Sequence, residues 1–130
     1  MNSLEKVPLN GYSILIVDDD PVFRKLVVEC LLKLGATVID AKNGQQALSA
    51  FTTNQFNLVI AGLNMPNING LELLRKVLDI DDSMPFIVIS NNNKVDEALN
   101  ALRIGAIDYL VKPIKNMNQI ESAVMEALNL

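Results

Sequence analysis

Five short apolar runs, each followed by a longer segment of helical period, constrain this chain of 130 residues more than any other feature. Ile14-Leu15-Ile16-Val17 is apolar on both faces, as a strand buried between two layers must be. Thr37-Val38-Ile39, Leu58-Val59-Ile60, Phe86-Ile87-Val88-Ile89 and Ile107 to Val111 repeat the pattern. Asp20-Pro21 is a helix start, a capping carboxylate followed by proline at the first helical position. Phe23, Leu26, Val27, Cys30, Leu31 and Leu34 then recur on one helical face, and Gly35 closes the helix. A second helix is predicted from Gln45 to Phe51 and a third from Leu71 to Leu78. The fourth, from Lys94 to Ile104, carries Val95, Leu99 and Leu102 on one stripe, and the fifth turns Met117, Ile120, Val124 and Leu128 inward. Strands alternating with helices predict an α/β fold, a doubly wound parallel sheet covered on both faces. Residues 1–11, with Pro8 and Asn10-Gly11, read as a leader, and 12–130 as one domain.

In such sheets ligands bind beyond the carboxyl ends of the strands, where the strand order switches. Those ends are Asp18-Asp19, Ala61-Gly62, Ser90 and Lys112. Two carboxylates, a hydroxyl and an ammonium on one edge suggest a metal-dependent phosphate site. Hard oxygen ligands suit Mg²⁺, and a lysine point charge suits phosphate oxygens. Asp18 and Asp19 are like charges at the end of a buried strand, so something must compensate them. Composition removes the competing chemistries. The chain has no histidine, which excludes histidine-based nucleophile activation, His-zinc sites and His switches. Its one cysteine, Cys30, reads as a small buried hydrophobe. A net charge of -4 argues against direct nucleic-acid contact. No apolar run approaches the roughly 18 residues of a membrane span, and no signal-peptide pattern is present, so a cytoplasmic protein is expected.

The segments Ile14-Leu15-Ile16-Val17-Asp18-Asp19, Asn64-Met65-Pro66 with Asn69-Gly70 and Leu73-Leu74, Ile87-Val88-Ile89-Ser90, and Gly105 through Tyr109 to Lys112-Pro113 stand in a telling order. Together they resemble the receiver domain of bacterial two-component response regulators, the chemotaxis-regulator fold, from about Ser13 to Asn129. The resemblance implies a (βα)5 flavodoxin-like sheet in strand order 2-1-3-4-5. It implies Asp18, Asp19 and the Asn64 carbonyl as Mg²⁺ ligands, Ser90 as the switch hydroxyl and Lys112 as the partner of a phosphoryl group. It also implies Tyr109 as the switch aromatic and a cis peptide before Pro113. A narrower similarity, in the start of the first helix and in Lys112-Pro113-Ile114-Lys115-Asn116, is to the receiver of the adaptor that delivers the stationary-phase sigma factor to a protease.

One position departs from the family. Where it carries the phosphate-accepting aspartate, three residues before the methionine of Met65-Pro66, this chain has Gly62. Phosphoryl transfer needs a carboxylate oxygen in line with the donor, and glycine has no side chain. With one carboxylate fewer, Mg²⁺ is expected to bind weakly or not at all. Three origins fit Gly62: a natural pseudo-receiver working without phosphate, a substitution in an ordinary receiver, or a site drifted out of use. The first is the working expectation.

The expected output is protein contact through the fourth helix, fifth strand and fifth helix, with Ala98, Ala101, Ile104, Tyr109 and Lys115 on that face. The partner systems implied are a sensor kinase, an output domain that is absent or truncated here, or a sigma factor and protease. Val28 and Leu32 on the first helix mark a second candidate surface. The competing expectation is an enzyme. Asp18-Asp19-Asp20-Pro21-Val22 also fits the Asp-x-Asp pattern of haloacid-dehalogenase-type phosphatases, with Asp18 as nucleophile and Asp20 as general acid. Against it, the only acids after Lys112 are Glu121 and Glu126, inside the last helix.

Overall fold

A computed structural model describes residues 7–91 and 94–130. Residues 1–6 of the expected leader, Asn92 and Asn93 lie outside the described residues. The elements run β1 (Ser13–Val17), α1 (Pro21–Lys33), β2 (Thr37–Ala41), α2 (Gly44–Thr53), β3 (Leu58–Gly62), α3 (Gly70–Ile80), β4 (Phe86–Ser90), α4 (Val95–Ile104), β5 (Asp108–Val111) and α5 (Met117–Ala127). All five strands are parallel, in the order β2-β1-β3-β4-β5, as the resemblance implied.

Period-two alternation in the three central strands divides the core. Ile14, Ile16, Leu58, Ile60, Ile87 and Ile89 face α1 and α5. Leu15, Val17, Val59, Ala61, Phe86 and Val88 face α2, α3 and α4. The apolar-on-both-faces pattern thus reflects two separate cores sharing one sheet. Side-chain caps fix where helices begin. The Asp20 carboxylate accepts the amides of Val22 and Phe23, Asn43 accepts from Gln46, and Asn69 accepts from Glu72.

The structure departs from the sequence reading in four places. Leu9, in the segment read as leader, is fully buried, and its amide donates to the Leu34 carbonyl at 2.9 Å. It plugs the end of the α1 layer, which a short stretch without periodicity could not announce. On α1 only Phe23, Val27 and Leu31 are buried. Leu26 is exposed, because the inward stripe is narrower than the six-residue pattern suggested. Val28 packs partly against the core, whereas Leu32 is exposed. Cys30 is half-buried, and burial, reinforced by the Glu121 carboxylate, pushes its thiol upward in pKa, which keeps it protonated and inert.

The fourth departure is α4. Its Val95, Leu99 and Leu102 stripe faces outward, with exposures of 68%, 42% and 47%. Ala101, expected on the partner face, is fully buried against the sheet. An alanine lets the helix axis sit close to the strands, so the sheet side needs small residues and the large ones are left outside.

Candidate functional site

The carboxyl edge of the sheet gathers the polar residues. Asp18 and Ser90 are the buried polar or charged residues recorded among the described residues, at 2% and 1% exposure. Asp18 follows β1 directly, Gly62 ends β3, Ser90 ends β4 and Lys112 follows β5. Pairing of Gly62 with Ile89 sets Ser90 one residue beyond the glycine. The Lys112 amide donates to the Ser90 carbonyl at 2.7 Å, and the Lys112–Pro113 peptide is cis, as the resemblance implied.

Lys112 bends back over β1. Its ammonium donates to Asp18 Oδ1 at 3.3 Å and lies 3.0 Å from Oδ2, an ion pair across the sheet. The Asp20 carboxylate is 3.8 Å away, and the Phe23 ring centroid is 4.2 Å beneath the ammonium. Asp18 Oδ1 also accepts the Asp20 amide at 2.9 Å, while Oδ2 takes no further hydrogen bond. Arg24 braces the same turn. It donates to the Asp18 carbonyl and ion-pairs with Asp40 at 3.1 Å.

Gly62 bears directly on this pair. Its backbone is outside the left-handed region, so its dihedrals suit an L-residue. Space is the constraint. A Cβ there would lie 3.0 Å from Asp18 Oδ2 and 3.1 Å from its Cγ. The Asp18 carboxylate lies close against the place where a side chain at position 62 would begin. Gly70 serves the same corner, because a Cβ on it would strike the Gly62 carbonyl at 2.5 Å. Only glycine lets α3 start this close to the end of β3.

The other expected residues are looser. Asp19 is exposed and faces a shallow depression with Asn64, Pro66 and Glu97. The Asn64 side chain accepts the Asn91 amide at 3.3 Å. Tyr109 is half-buried against the α3 and α4 core, and among the described residues its buried hydroxyl has no hydrogen-bond partner. Asp20 has one oxygen committed to capping α1.

As a seat for a divalent cation this edge is short of ligands. Asp18 is engaged by Lys112, Asp19 is a single exposed carboxylate, Asn64 can offer a carbonyl, and Gly62 offers no side chain. Among the described residues no group of three or more His, Cys, Asp or Glu stands together to hold a metal. Sequence reasoning missed Phe23 and Arg24 as parts of the site. Their place in the first turn of α1 after the acidic run was the available signal.

Comparisons with known proteins agree with the geometry. The family model for the response regulator receiver domain matches residues 14–125. "Regulator of RpoS" from Escherichia coli is 38% identical over 121 residues, covering 93% of this chain and 36% of that protein. "Transcriptional regulatory protein ZraR" from Klebsiella oxytoca is 34% identical over 116 residues, covering 88% of this chain and 26% of that one. The chain therefore spans about a third or less of the length of these relatives. Among solved structures, a CheY-like receiver domain protein from Methanospirillum hungatei superposes with a TM-score of 0.86 at 27% identity, covering 91% of this chain and 94% of that one. A two-component response regulator from Clostridium difficile gives 0.86 at 25% identity, covering 92% and 97%. Among the described residues no helix is long and apolar enough to cross a membrane. The chain belongs to the response regulator receiver domain family.

Proposed function

We propose that this receiver signals by protein contact and accepts no phosphoryl group at position 62. The observation that carries the reading is the end of β3. Gly62 supplies no nucleophile there, and the Asp18 carboxylate sits 3.0 Å from where its Cβ would be. Ser90 and Tyr109 then stay in one arrangement, since no phosphoryl oxygen arrives for Ser90 and Lys112 to hold. Receiver domains typically bind Mg²⁺ at their acidic site. Here Asp18, Asp19 and the Asn64 carbonyl would hold it weakly at best.

The contact face we assign is the outer side of α4 with β5 and α5. Val95, Leu99 and Leu102 are exposed there, Val111 is exposed on the edge strand, and Lys115 lies just beyond it. The likeness to "Regulator of RpoS" supports a partner in the control of RpoS, and the net charge of -4 argues against a DNA site touched by this domain.

The test is incubation with a small-molecule phosphodonor and Mg²⁺, read by intact mass. The parent protein should stay unmodified. Gly62→Asp should become phosphorylated and respond to beryllofluoride, provided Asp18 yields by a few tenths of an ångström. A stoichiometric phosphoprotein from the parent would overturn the reading.

A further inference from the structure

We infer that the Lys112 ammonium, and not a divalent cation, is the standing counter-ion of Asp18, so that this edge is closed to Mg²⁺. The inference deepens the proposed function and rests on its reading of Gly62 as the vacated position. A carboxylate at 2% exposure needs a partner, because burying an unpaired ion away from water is costly. The Asp20 amide adds a hydrogen bond at 2.9 Å, and Lys112 supplies the opposite charge. Its ammonium spans both Asp18 oxygens at 3.0 and 3.3 Å, has Asp20 at 3.8 Å and covers the Phe23 ring at 4.2 Å. The lysine side chain is only 16% exposed, so water screens the pair little.

A metal would have to displace this arrangement. Mg²⁺ demands near-octahedral oxygen ligands at roughly 2.1 Å and sheds its waters reluctantly. One Asp18 oxygen already takes two donors, and the other faces Lys112. A dication at Asp18 would also sit beside the ammonium, a like-charge approach, while Asp20 has one oxygen committed to capping α1 and Asp19 is exposed to solvent. Gly62 leaves the closed state its room, because a Cβ there would make Asp18 give way by a few tenths of an ångström. The result is a ligand-free clasp joining the end of β1 to the end of β5, the strand that carries Tyr109.

The clasp predicts a site that ignores Mg²⁺. Melting temperature should be followed during a Mg²⁺ titration at constant ionic strength, for the parent and for Asp18→Asn, Lys112→Met and the double variant. The parent should show no saturable Mg²⁺ shift. Each single variant should melt lower, and the double variant should regain most of the loss, since neither charge is then left buried alone. A saturable rise in the parent would overturn the inference. So would single losses that simply add in the double variant. Should Lys112→Met fail to fold, the parent titration decides alone. The outcome is separable from the phosphodonor test: a labelled parent without a Mg²⁺ shift sinks the proposed function and leaves the clasp standing.

Discussion

Helices α1 and α4 leave the same edge of the sheet, from strands on either side of β3, yet they are held in opposite ways. Helix α1 buries Phe23, Val27 and Leu31, and Asp20 caps its first two free amides. Phe23 also lies under the Lys112 ammonium, so the helix is tied to the site itself. Helix α4 has Ala101 as its one fully buried residue, and its N-cap, Lys94, makes no side-chain cap bond. Its large apolar residues face outward. The helix with the least core to hold it is therefore the one that offers an apolar surface. Such an element can shift or be re-seated by a partner without disturbing the sheet, because few of its large side chains are locked in close packing.

The sharpest way to break this comparison is to truncate one leucine on each helix. Leu31→Ala should cost about 2–5 kcal/mol, since it deletes the three buried carbons beyond Cβ from the α1 layer. Leu102→Ala should change stability by much less, about 0.5 kcal/mol, because its side chain is about half in solvent on the outer face. Chemical denaturation of both variants measures the difference. Equal losses would mean that α4 is packed as firmly as α1.

A smaller effect sharpens the same contrast at the helix starts. Asp20→Ala should lose about 1 kcal/mol by orphaning the Val22 and Phe23 amides. Asp20→Asn should retain most of that, because its amide oxygen can still cap. If the asparagine variant loses as much as the alanine one, the 3.8 Å approach to Lys112 matters more than the cap. The midpoint of urea unfolding reports both.

What was legible in the sequence follows physical locality. Period-two and period-3.6 patterns depend on a residue and its near neighbours, so the five strands, the Asp20 cap and the Asn69-Gly70 helix start could be read directly. The strand-end residues were readable too, since a parallel sheet brings successive strand ends to one edge. Which face of α4 points inward was not. The helix carries alanines at Ala98 and Ala101 and large apolar residues at Val95, Leu99 and Leu102, and hydrophobicity alone favours burying the larger set. The available depth above the sheet decided instead for the alanine side. Leu9 escaped for a similar reason, since a lone apolar residue in a turn has no period. The Asp18–Lys112 pair spans 94 positions of sequence, and the distance between two side chains cannot be read from either one.

The smallest effect on the fold tests the comparison most directly. Leu99→Asp places a charge on the outward stripe of α4, where it has solvent to face, so stability should move by less than about 0.5 kcal/mol. Amide hydrogen exchange should then separate the helices in both parent and variant. The α1 amides, fixed by three buried side chains and a double cap, should open only with global unfolding. The α4 amides should exchange by a local route at lower free energy, since few large buried contacts are broken when that helix lifts. Parent and variant should give the same ordering, because Leu99 contributes little to holding α4 down. Equal protection of the two helices in the parent, or a large stability loss in Leu99→Asp, would show that the outer stripe is anchored within this chain and is not a surface held ready for a partner.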